Sequence, residues 1–238
     1  NGITNGGAGG LGERLTELRN ETVKTNQIWA EKLGIPNSAA ITCVKPSGTV
    51  SQLVDSASGI HARHNPYYIR TVRGDNKDPI TKFMKAEGFP SEPDVTKPNH
   101  TTVFSFPMAS PENAVCRKDM TALEQLELWK VYAQNWCEHK PSVTISVKED
   151  EWVDTAAWVY ENFDEISGIS FLPFSDHTYK QAPYQDCSKE EYEEMASKMP
   201  KNVDWSKLSE YEQKDFTVAS QELACSAGQC EVVDLPAS

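Results

Sequence analysis

The sequence predicts an α/β protein, and three observations carry that prediction. Short runs of strand character alternate with longer runs of helical period. Glycine or proline punctuates many of the junctions. No internal repeat or heptad run diverts the reading toward a solenoid or coiled coil. Alternation of this kind implies a parallel or mixed sheet, open or closed into a barrel.

The elements follow in order. The glycine-rich start, residues 1–11, reads as a flexible leader. Leu11 to Leu33 reads as a helix, with Leu11, Leu15, Leu18, Thr22 and Trp29 on one face and Gly34 and Pro36 ending it. Ala39 to Val44 has the composition of a short buried strand, and Gly48 to Val54 starts a helix directly after it. Ser56 to Pro79 reads as a long loop of aromatic and basic content. Pro79 to Glu87 forms a short helix closed by Gly88, and Thr101 to Phe106 alternates as a strand.

Thr121 to His139 predicts a long helix with Leu123, Leu126, Trp129, Ala133 and Trp136 inward. Pro141 opens a strand at Ser142 to Val147. A helix over Asp150 to Phe163 and a strand over Ile166 to Leu172, stopped by Pro173, come next. Ser188 to Met199 is an acidic helix, capped by Ser188 with Glu191 three residues on. Ser206 to Lys214 suits one more short helix, and residues 220–238 read as a mobile tail.

Composition excludes some functions. The chain has 238 residues and a net charge of -12. Phosphate-backbone affinity comes from clustered Lys and Arg, so a general nucleic-acid surface is not expected. No apolar run approaches the roughly 20 residues of a membrane span. The first residues lack both a signal peptide and an initiator Met, which suits a fragment or a processed product. Six cysteines, four of them scattered singly, suit a cytosolic protein with free thiols.

Two motifs carry chemistry. Lys45-Pro46-Ser47-Gly48-Thr49-Val50-Ser51 lies between an expected strand and an expected helix. Ligands bind at the carboxyl ends of strands in such folds. Open N–H groups at a helix start attract phosphate, hydroxyls add donors, and Gly48 admits close approach. The same residues also suit an ordinary Ser/Thr helix cap, and spacing leaves both readings open. Cys225 and Cys230 flank a pliable Ser-Ala-Gly-Gln stretch, which suits a thiol–disulfide shuttle. Zinc would need two more ligands, and no second close cysteine pair exists; Cys137 and His139 could supply them but read as structural at a helix end, so redox exchange is favoured and no metal site is expected. Gly7 to Gly12 matches G-x-G-x-x-G but lacks the preceding strand that a dinucleotide site needs. Gly59-Ile-His61-Ala-Arg63-His64 with Tyr67 and Tyr68 fits either a substrate lip or a surface loop with aromatic anchors.

Several stretches together resemble one family. "ITCVKPSGTVSQLVDSASGIHARHNPYYIRTVR", "WCEHKPSVTISV", "GISFLP", "QAPY" and "ELACSAGQC" are similar to the carboxy-terminal part of ribonucleotide reductase large subunits. The adenosylcobalamin-dependent class II enzymes, in particular the monomeric ribonucleoside triphosphate reductases, match best. The resemblance implies the second half of a ten-stranded α/β barrel over residues 12–219, followed by a redox-active cysteine tail over 220–238. It implies substrate phosphate binding by Pro46, Ser47, Gly48, Thr49, Val50 and Ser51. It also implies thiol–disulfide exchange by Cys225 and Cys230, with adenosylcobalamin as cofactor.

The implied partners are a ribonucleotide, thioredoxin or a similar reductant, and an amino-terminal part carrying the radical cysteine. No finger loop with a radical cysteine occurs in these residues, so the chain alone is expected to be inactive. A cytoplasmic location follows, with no nucleic-acid or membrane partner. Two other readings remain at this point: a class I large-subunit fragment, and a non-catalytic nucleotide-binding or assembly module.

Overall fold

A computed structural model describes residues 8–174 and 179–212. In chain order its elements are α1 (Ala8–Leu33), α2 (Val50–Leu53), β1 (Tyr67–Asp75), α3 (Pro79–Ala86), β2 (Ser91–Pro93), β3 (Thr101–Ala109), α4 (Ala122–Asn135), β4 (Val143–Val147), α5 (Trp152–Glu161), β5 (Ile169–Pro173), β6 (Tyr184–Asp186), α6 (Lys189–Lys198) and α7 (Leu208–Tyr211). Backbone contacts divide the described residues into two units: 8–66 with 109–174, and 67–108 with 179–212. The architecture is mixed α/β, as the alternation predicts.

The first unit is built on a β4–α5–β5 crossover. Its two strands pair in parallel, from Val143 opposite Ile169 to Val147 opposite Pro173. Alternation in "VTISV" turns Val143, Ile145 and Val147 inward. They meet Ala122, Leu126 and Trp129 of α4, Trp158 of α5, and Ile60 from the loop after α2. α4 starts where the sequence places it: the Thr121 hydroxyl accepts the Glu124 amide, and the Glu124 carboxylate accepts the Thr121 amide in return. α1 packs on α4. It begins at Ala8, inside the stretch expected to be a leader.

The second unit is a four-stranded sheet in the order β2-β3-β1-β6. β2 runs antiparallel to β3, and β6 antiparallel to β1. Phe83 of α3 stacks within 5.3 Å of Trp205 and 5.6 Å of Tyr211, measured between ring centroids. α6 carries the cap expected of it, with Ser188 and Glu191 exchanging hydrogen bonds.

Three expectations need correction. No strand forms over Ala39 to Val44. The Thr42 carbonyl accepts the amides of Glu138 and His139, and the Val44 carbonyl accepts that of Ser142. Beyond Ser142, the outward amides of β4 are already taken: Thr144 donates to the His61 ring and Ser146 to the Gln125 side chain. A strand over Ala39 to Val44 therefore finds both of these amides already occupied. The helix expected from Gly48 to Val54 is one turn, Val50–Leu53. The expected loop after Ser56 contains β1, and the short strands β2 and β6 were not anticipated.

Candidate functional site: the Pro46–Ser51 turn

The turn enters from Lys45, whose ammonium donates to the Lys140 carbonyl at 2.6 Å and the Ser142 hydroxyl at 2.9 Å. Ser47 is tied at both ends of its peptide unit. Its amide donates to Ser58 Oγ at 2.8 Å, and that hydroxyl donates back to the Ser47 carbonyl at 3.0 Å. The Ser47 hydroxyl accepts the Ser51 amide at 3.1 Å. Ser47 thus satisfies one amide of the first turn, while Thr49, which occupies the cap position of α2, makes no side-chain cap bond.

The phosphate reading keeps its basis. Gly48, Thr49 and Val50 are exposed, and among the described residues their amides donate to no protein acceptor. Ser51 is only 3% exposed, and its hydroxyl has no partner there. A cluster of available donors beside an exposed glycine can accept an anion. A single helical turn adds little macrodipole, so affinity would rest on the individual amides and hydroxyls.

The loop behind the turn fixes its shape. Gly59 has φ +61, and a Cβ there would stand 2.9 Å from the Lys45 carbonyl. Only glycine tolerates both conditions. Gly59→Ala is expected to cost about 1–3 kcal/mol, from left-handed strain and that clash. Urea unfolding of the variant measures the loss.

Arg63 is buried, with its guanidinium donating to the Ser56 carbonyl at 2.7 Å and to the Asp55 carboxylate. Its own backbone is bonded between Val115 and Arg117. His61 joins the Ser58 carbonyl to the Thr144 amide of β4. The sequence singled out this loop without choosing a role for it. The histidine's partners lie 3 and 83 positions away, and no local signal reveals the second.

Cys116, Cys137 and Cys187 are not poised as thiolates. Burial pushes Cys116, Cys137 and Cys187 above the usual thiol range, with lesser contributions from Asp119, Cys43 and Glu191 respectively. Cys225 and Cys230 lie outside the described residues. Among those described, no three His, Cys, Asp or Glu side chains converge on a metal-sized site, and no helix is long and apolar enough to cross a membrane.

Taken alone, the geometry defines a mixed α/β protein with a donor-lined turn packed beside a parallel strand pair. Along most of its length the chain is similar to part of the adenosylcobalamin-dependent, class II ribonucleotide reductases. The adenosylcobalamin-dependent ribonucleoside-triphosphate reductase of Lactobacillus delbrueckii subsp. bulgaricus is 29% identical over 224 residues, covering 92% of this chain and 30% of that protein. Its namesake in Euglena gracilis is 33% identical over 177 residues, covering 73% of this chain and 24% of its own length. A crystal structure of a B12-dependent, class II ribonucleotide reductase superposes with a TM-score of 0.71 at 26% identity. The match covers 84% of this chain and 28% of that one. The chain thus spans less than a third of the length of these relatives. No family model matches it.

Proposed function

We propose that the chain is the carboxy-terminal portion of a ribonucleotide reductase that converts ribonucleoside triphosphates to 2′-deoxyribonucleotides by radical chemistry. The carrying observation is homology along nine-tenths of the chain to enzymes named for that reaction. The β4–α5–β5 crossover would continue into a ten-stranded barrel completed by the rest of the polypeptide. Pro46, Ser47, Gly48, Thr49, Val50 and Ser51 would receive the substrate phosphates, which holds the ribose in register for attack. The exposed Gly48–Val50 amides support this assignment.

Adenosylcobalamin would supply the 5′-deoxyadenosyl radical to the complete enzyme. No described residue is singled out as its ligand. Both ring nitrogens of His61 are engaged, and no ligand cluster is present among the described residues.

Reduction at the ribose 2′ carbon takes two electrons from a cysteine pair, which becomes a disulfide. Cys225 and Cys230, as dithiol, would exchange with that disulfide and become oxidised in its place. Thioredoxin or a similar dithiol would then reduce them from outside. A tail suits this task because a bulky reductant cannot enter a site that excludes solvent.

The test assembles this chain with the remaining polypeptide, adenosylcobalamin and a ribonucleoside triphosphate. Deoxynucleotide should form only in the mixture. Cys225→Ser combined with Cys230→Ser should keep a single turnover and lose thioredoxin-driven multiple turnover, while a small dithiol restores it. Undiminished thioredoxin-driven turnover in that double variant would remove the tail assignment. A mixture that forms no deoxynucleotide would remove the reductase reading.

A further inference from the structure

We propose that His61 is a positioning residue for the phosphate-binding turn, acting through Ser58 on Ser47. The inference rests on the reading of that turn given above. The relay begins at the outer edge of β4. In a strand paired on one side, alternate amides face away from the partner and need acceptors. Thr144 and Ser146 are those residues of β4. Ser146 exchanges hydrogen bonds with the Gln125 side chain at 3.2 Å each way. Thr144 donates instead to His61 Nε2 at 3.0 Å.

That contact fixes the ring. A backbone amide can only donate, so Nε2 must be the acceptor. A carbonyl can only accept, and His61 Nδ1 lies 2.7 Å from the Ser58 carbonyl, so Nδ1 carries the proton. The imidazole is neutral, and both nitrogens are used. The His61 amide donates to the same Ser58 carbonyl at 3.1 Å. Ser58 is thereby held from two directions, and its hydroxyl both receives the Ser47 amide and donates to the Ser47 carbonyl. Ser47 in turn accepts the Ser51 amide. An unbroken chain of hydrogen bonds runs from the β4 backbone to the residue that sets the turn. Ile60, one position before His61, is in the core with Trp129 and Ile145, so the relay is anchored on a packed base.

The relay has a use that a bare structural contact lacks. Gly48, Thr49 and Val50 can converge on an anion only while Ser47 keeps its orientation. A turn held in its binding conformation loses less entropy when ligand arrives. Gln125 provides the internal control: it caps the same strand edge, and among the described residues its side-chain hydrogen bonds go to Thr121 and Ser146, not to the turn.

Inorganic triphosphate is titrated into the 238-residue chain by calorimetry, with wild type compared to His61→Ala, Ser58→Ala and Gln125→Ala. All three changes are expected to lower the melting temperature. His61→Ala and Ser58→Ala should also weaken triphosphate binding about tenfold, whereas Gln125→Ala should change it less than about twofold. Long-range proton–nitrogen spectra of the wild type should show the proton on Nδ1 of His61.

Triphosphate affinity in folded His61→Ala equal to that of Gln125→Ala would overturn the proposal, and so would a proton on Nε2. If His61→Ala does not fold, Ser58→Ala and the wild-type tautomer decide by the same criteria. Failure of the wild type itself to bind triphosphate would remove the phosphate reading and this inference with it. Binding by wild type with unchanged variants removes this inference alone.

Discussion

Trp129→Ala is expected to destabilise the first unit by about 3–5 kcal/mol, a large part of the stability of an ordinary domain. Trp129 is fully buried at the centre of the α4 face, among Leu126, Ile145 and Trp158. Its removal forfeits apolar burial and leaves a cavity that α4 and β4 cannot both collapse into, since each is bonded elsewhere. The indole also donates to the Pro141 carbonyl at 3.2 Å, just where the chain enters β4. Without it that carbonyl stays buried and unpaired, which adds about 1 kcal/mol or more. Trp129→Phe keeps most of the packing and loses the hydrogen bond, so a smaller loss of about 1–2 kcal/mol is expected. Urea titration followed by circular dichroism measures both. Equal stability of Trp129→Ala and wild type would show that the core is not organised around this ring.

Apolar spacing made α4 legible, and local chemistry made α6 legible. Ser188 with Glu191 is a capping pair at fixed spacing that forms as the sequence indicates, and the structure adds a matching pair, Thr121 with Glu124, at the start of α4. β4 was legible through strict alternation. β1 was not, because its buried residues Tyr68 and Thr71 are three apart and two arginines interrupt the pattern. Arg70 is accommodated by stacking on the Tyr184 ring at 4.5 Å and donating to the Pro183 carbonyl. Those partners lie more than a hundred residues along the chain, so no window of sequence contains them. Ala39 to Val44 failed for the opposite reason. Its composition suits a strand, but side chains occupy the edge it would need.

The candidate site divides along the same line. A turn rich in serine and glycine is visible as a string of residues. Its support by His61 depends on Thr144, which only the fold brings near. "QAPY" marks a resemblance to a family in the sequence, and the structure gives it a physical reason. Gln181, at φ +60, donates to Glu92 and to the Pro93 carbonyl, while its side-chain oxygen accepts the Val95 amide. Its carbonyl accepts from Arg73 at 3.1 Å. The motif ties β2 and the residues after it to Arg73 of β1 within the second unit.

Asp94, in that same network, is the other residue whose loss should be severe. Its side chain is 4% exposed, and it accepts the Thr96 hydroxyl at 2.5 Å, the Thr96 amide at 2.8 Å, the Lys97 amide at 3.0 Å and Arg73 Nε at 2.8 Å. The Thr96 hydroxyl above all, with the two amides and Arg73, holds its carboxyl well below the usual carboxylate range in spite of burial. Asp94→Ala strands several donors at once, and a loss of about 3–4 kcal/mol is expected. Asp94→Asn isolates the charge. Because the folded pKa is depressed, the carboxylate contributes stability that is present above the unfolded carboxylate range, near pH 4, and lost as pH falls toward the folded value. The stability gap between wild type and Asp94→Asn should therefore be constant from about pH 7 to 5 and narrow below about pH 4. Urea unfolding at stepped pH measures that gap. A gap that stays constant down to about pH 2 would mean the carboxylate titrates alike in both states, and the four hydrogen bonds would then have no electrostatic consequence.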